Sequence, residues 1–115
     1  MSATAFNMGA TAGKVIIDER KDRDIGGTGR NEIFEHSWTV PRKCLVFVET
    51  DVYAPTSYTS TFLRNGQTVE PKKYNKGPQY SCAVGIFDAQ KDDVITVRTD
   101  RGRNYQCIYL YAISM

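Results

Sequence analysis

At 115 residues and 13.0 kDa the chain has the size of one ordinary domain, and with 41% hydrophobic and 24% charged residues it is not the composition of a disordered polymer. Fifteen basic against thirteen acidic side chains leave a formal charge of +2, too weak a bias for the strongly basic face that nucleic-acid binding needs. No run approaches the ~18 apolar residues that span a bilayer, so membrane insertion is not expected.

Met1 to Ala10 has no basic n-region and no long apolar segment, so synthesis in the cytoplasm without a signal peptide is expected. Lys14 to Asp18 is a first short strand. Glu19 to Arg30 is charged and then glycine-rich, ending Gly26-Gly27-Thr28-Gly29-Arg30, and reads as a flexible exposed loop. Ile33 to Val40 alternates cleanly: Phe34, His36, Trp38 and Val40 share one face, and Ile33, Glu35, Ser37 and Thr39 the other. Pro41, Arg42 and Lys43 end that strand. Cys44 to Glu49 is continuously apolar until its last residue, which suits a central strand. Asp51 to Ser57 is a loop.

Tyr58 to Arg64 is rich in strand formers and runs into Asn65-Gly66, a hairpin signal because both residues tolerate positive φ. Gln67 to Val69 returns. Glu70 to Gln79, with two prolines, reads as a second polar loop. Tyr80 to Phe87 is a further strand, Asp88 to Asp92 a turn, and Asp93 to Thr99 another strand. Asp100 to Asn104 turns the chain into Tyr105 to Met115. On this last strand Cys107, Tyr109, Tyr111 and Ile113 share one face and Ile108, Leu110 and Ala112 the other. Both faces are apolar, so cover on both sides is expected.

About seven to eight strands spaced roughly 8–12 residues apart indicate an all-β fold, an antiparallel β-sandwich of one domain over 1–115. Residues 1–30 supply the N-terminal strand and the charged, glycine-rich loop; 31–115 supply the sandwich core.

The residues that could carry chemistry are few. His36 is the sole histidine, and on an apolar face it is expected to be a hydrogen-bonded structural residue. One histidine and three scattered cysteines make no zinc motif, so no metal and no cofactor are expected. Cys44, Cys82 and Cys107 all lie in apolar runs and read as three reduced core thiols. A small enzyme would have to combine Glu35 or Glu49 with His36. The glycine loop lacks the Gly-Lys-Ser/Thr ending of a phosphate-binding loop. Asp92-Asp93 reads as a solvated strand entry. Absence of a nucleophile–base set argues for a protein that is not an enzyme.

Seven tyrosines are many for this length. Tyr53, Tyr58 and Tyr74 with Asn75, in or beside polar loops, are the candidate ligand face, since tyrosine offers apolar area with a polar tip. Tyr109, Tyr111 and Ile113 are the candidate core or subunit contact.

The Thr39-Val40-Pro41 entry, the Asn65-Gly66 hairpin, the Lys91-Asp92-Asp93-Val94-Ile95-Thr96-Val97 strand and the tyrosine-rich terminal strand together resemble the small jelly-roll domains of phage tail fibres and related receptor-binding proteins. The resemblance covers about residues 31–115. It implies a non-enzymatic binding or structural domain in a virion, a homo-oligomer and most often a trimer, that recognises a cell-surface saccharide or protein. A stand-alone bacterial lectin or carbohydrate-binding module, or a small inhibitor or immunity-type protein, is the alternative.

Overall fold

The computed structural model describes residues 13–24, 32–53, 59–69, 72–75, 80–102 and 105–115, with the side chains of β6 and of several strand ends outside that description. Among the described residues there are nine strands and no helix: β1 (Val15–Asp24), β2 (Glu32–Thr39), β3 (Cys44–Tyr53), β4 (Thr59–Arg64), β5 (Gln67–Val69), β6 (Lys72–Asn75), β7 (Tyr80–Ala89), β8 (Val94–Gly102) and β9 (Tyr105–Ser114). They form two antiparallel sheets, ordered β1-β9-β3-β7-β6 and β2-β8-β4-β5. With β6 set aside as an added edge strand, the remaining eight form two four-stranded sheets in the order of a jelly roll, successive strands changing sheet except at the β4–β5 hairpin.

The core lies between the sheets because alternation puts the apolar residues there. β3 buries Cys44, Val46, Val48, Thr50 and Val52, and β9 buries Ile108, Leu110 and Ala112 against Phe62, Ile95 and Val97 of the facing sheet. Phe34 and Trp38 pack on the margin of this core, and Val40 is fully buried, so the face assigned to β2 is the inner one. Gly85 allows Phe62 to reach the β7 backbone: a Cβ there would stand 2.8 Å from Phe62 Cδ2 and 3.0 Å from Val48 Cγ2. Thr50 and Ser60 share a buried hydroxyl–hydroxyl hydrogen bond of 2.6 Å across the sheets.

Turn chemistry sets the connections. Asn65 and Gly66 have φ of 52° and 78° and join β4 to β5 as the sequence predicts. The Asn65 side chain also accepts from Val94 N–H and donates to Asp93 Oδ1, tying the hairpin to the start of β8. Asp93 Oδ2 accepts from Gln90 N–H, so Asp93 closes its turn instead of merely being solvated. These bonds, Gln90 first and Asn65 second, hold the Asp93 carboxyl below its usual range.

Three sequence expectations are corrected. Strand pairing does not stop at Asp18: β1 continues through Glu19–Asp24 against β9, while residues 25–30, with the glycine run, lie outside the described residues. The expected polar loop at 70–79 contains β6, a short edge strand added to the eight strands of the two four-stranded sheets, which match the expected number. Finally, β9 is not sealed on both sides: its inner face is buried, whereas Tyr109, Tyr111 and Ile113 remain half-exposed on the outer surface.

Candidate functional site

The outer face of the five-stranded sheet carries the candidate residues, and register arranges them in rows. Val15, Ile113, Leu45 and Asp88 form the first row; Asp18, Tyr111, Phe47 and Ile86 the second. Arg20, Tyr109, Glu49 and Val84 form the third, and Asp22, Cys107, Asp51 and Cys82 the fourth. The first two rows are therefore mainly apolar, with Asp88 and Asp18 at their ends, and the last two bring together the thiols, most of the carboxylates, Arg20 and Tyr109.

In the first two rows Ile86 is 59% exposed and Val15 52%, although each sits beside other large apolar side chains. The Phe47 and Tyr111 rings meet at 5.9 Å in a tilted pair, and Tyr109 and Tyr111 lie nearly parallel with centroids 6.4 Å apart. Thus Tyr109, Tyr111 and Ile113 do share one open surface with Leu45, Phe47 and Ile86.

The charged residues of β1 are fitted to the tyrosines of β9. Tyr109 donates to Asp18 Oδ1 at 2.8 Å, and Tyr105 donates to Asp22 Oδ1 at 2.9 Å. The four-residue spacing of Asp18 and Asp22 matches that of Tyr109 and Tyr105 on the antiparallel strand. Arg20 adds a 2.9 Å bond to the Tyr105 hydroxyl and a 3.0 Å ion pair to Asp22. Hence the Tyr109 hydroxyl has its hydrogen-bond partner within its own chain. The bond to Asp18 also raises its pKa. Sequence reasoning missed this pairing; the alternation Asp18, Arg20, Asp22 was the available signal.

Burial, with a lesser contribution from Asp22, pushes the Cys107 thiol up to about 11, and burial takes the Tyr105 hydroxyl up to about 12. A thiol at about 11 is almost wholly protonated at neutral pH and is a poor nucleophile. Asp22 is held below the usual carboxylate range by hydrogen bonds from Cys107 and then Arg20. All three cysteines are free and buried, but only Cys44 belongs to the core cluster; Cys82 and Cys107 lie in the outer fourth row, which corrects the expectation of three core thiols.

His36 faces inward from β2, and its Nε2 stands 2.7 Å from Glu19 Oε2 of β1, an ion pair when the imidazole is protonated. It links the two sheets at one edge. Glu35 points out from the four-stranded sheet and Glu49 out from the five-stranded one, so the structure brings neither to His36.

Among the candidate ligand residues, Tyr53 is half-buried at the end of β3, opposite Tyr80. Tyr58 lies outside the described residues. Tyr74 and Asn75 are in β6, paired with Cys82 and Ser81, and their side chains lie outside the described residues. No helix among the described residues is long and apolar enough to cross a membrane. The chain matches no protein-family model, and no curated protein matches it in sequence.

Proposed function

We propose that this chain is a non-catalytic binding and assembly domain that associates with copies of itself through the outer face of its five-stranded sheet, as receptor-binding or accessory proteins of a virion do. The observation that carries this reading is the partly exposed apolar patch of Leu45, Phe47, Ile86, Tyr111 and Ile113 on the outer face of that sheet. Its aromatic and aliphatic middle, bordered by Asp18 and Asp88, has the composition of an interface core with a polar rim. A trimer is the assembly favoured by the resemblance of residues 31–115 to tail-fibre domains. The ligand, a cell-surface saccharide or protein, is assigned to Tyr53, Tyr58, Tyr74 and Asn75, the residues in or beside the polar segments of the sequence.

Light scattering after gel filtration, over a wide range of concentration, tests the assembly. The expected result is an oligomer that Ile86→Lys and Tyr111→Lys convert to a folded monomer. A wild-type chain that stays monomeric at the highest concentration rejects it.

One observation favours a lectin as a second reading. The parallel Tyr109 and Tyr111 rings lie beside Asp18, Arg20 and Glu49, so apolar surface for a sugar face adjoins groups for its hydroxyls. Glycan-array binding by a monomer, lost in Tyr111→Ala, distinguishes it from self-association.

A further inference from the structure

Buried cysteine outside a protein core calls for a reason, because packing alone explains a thiol only where its neighbours are apolar. Cys44 is explained in this way: it lies among Val46, Ala89 and Ala112 in the core cluster. Cys82 is not. It is completely buried, yet it faces out of the sandwich, and its cross-strand neighbour on β3 is Asp51. Glu49, two residues before Asp51 on the same strand, shares that face. The Cys82 Sγ and one carboxylate oxygen from each acid all lie within 4.8 Å of one another. One Asp51 oxygen is out of contact with solvent.

We propose that Glu49, Asp51 and Cys82 form a binding site for a thiophilic divalent cation of the zinc type. The three donors are drawn from two paired interior strands of the sheet, β3 and β7, whose register fixes their relative positions. In tetrahedral zinc coordination, bonds of about 2.0–2.3 Å put ligand atoms roughly 3.3–3.8 Å apart. The three atoms, all within 4.8 Å of one another, need shifts of about 1 Å to reach that spacing, a range that rotation about the glutamate's three torsions covers. A thiolate with two carboxylates suits zinc, cadmium or cobalt, whereas calcium and magnesium select all-oxygen sets. Three protein ligands leave a fourth position for water or for a group brought by a partner. Cys107 flanks Asp51 on the opposite side, on β9, and its thiol is engaged with Asp22, so it stands beside the triad and not in it. The site is separate from the apolar patch proposed for assembly, and neither reading depends on the other.

The test is titration of the reduced full-length chain with Co²⁺ alone, read by its thiolate-to-cobalt absorption, followed by displacement with Zn²⁺. The expected result is one saturable equivalent per chain and full loss of the band on adding zinc. Cys82→Ser abolishes the band, while Cys44→Ser and Cys107→Ser retain it. Glu49→Gln and Asp51→Asn each weaken binding by about ten-fold or more, since even outer-shell partners of a metal are worth that much. Circular dichroism checks that each variant folds. Absence of the band in the folded wild-type chain overturns the proposal, as does a band that survives Cys82→Ser or requires Cys107. If Cys82→Ser does not fold, Glu49→Gln decides alone: unchanged cobalt affinity then overturns the proposal.

Discussion

The two faces of β9 are built from similar residues and have different fates. Ile108, Leu110 and Ala112 point inward and are sealed against Phe62 and Val97. Tyr109, Tyr111 and Ile113 point outward and keep part of their surface in solvent. Apolarity therefore does not by itself locate the core of this protein. What separates the faces is the partner: a whole second sheet covers one, whereas on the other the described neighbours are the outward side chains of β1 and β3 in the same sheet. The inner face is a matter of stability, and the outer face is the one to which the proposed self-association is assigned.

That contrast can be broken or sharpened by substitution. The largest effect belongs to the inner face. Leu110→Ala is expected to cost about 2–5 kcal/mol, through lost transfer energy and the cavity left behind, in urea unfolding monitored by circular dichroism. Gly85→Ala, also inward, is expected to cost about 1–3 kcal/mol, because its Cβ meets Phe62 and Val48 and both would have to shift. Little change there would mean that the sheets are not held as closely as the contrast requires. On the outer face Tyr109→Phe removes only one hydroxyl, from an exposed bond to Asp18, and is expected to lower stability less than either inner-face change.

The pH dependence should arise from the surface and not from the core. Asp22 and Asp93 both have pKa values lowered by folding, so their stabilisation is present above about pH 4 and is lost as pH falls through the lower folded values. The acid limb of unfolding should flatten in Asp93→Asn. Cys107 acts in the opposite range: its thiol is raised to about 11, so its contribution is complete below its ordinary pKa near 8.5 and fades as pH rises towards 11. The smallest stability effect belongs to the most exposed apolar residue. Ile86→Lys is expected to stay within about 0.5 kcal/mol of the wild type while abolishing self-association.

Much of this architecture was legible one strand at a time. The inward set Phe34, His36, Trp38 and Val40 and the Asn65-Gly66 hairpin follow from alternation and from turn chemistry, both of which are local. Where the reading of residues failed, the cause was a neighbour distant in sequence. Glu19 to Asp24 carries almost nothing to bury, and it becomes a strand because β9 offers backbone partners and tyrosine hydroxyls placed for its aspartates. The cysteines looked alike in their apolar runs, yet Cys82 and Cys107 are set apart from Cys44 by facing Asp51 from two sides.

By itself the sequence determined the fold class, the strand faces and the turn residues, because side-chain alternation and positive φ depend on a few consecutive residues. It also determined that β9 would carry apolar groups on both sides. Only the tertiary structure decided which of those sides meets the second sheet and which remains open. It alone decided that Glu49, Asp51 and Cys82 stand together. Both outcomes are set by strand order and register, which join residues far apart along the chain and leave no trace in local pattern.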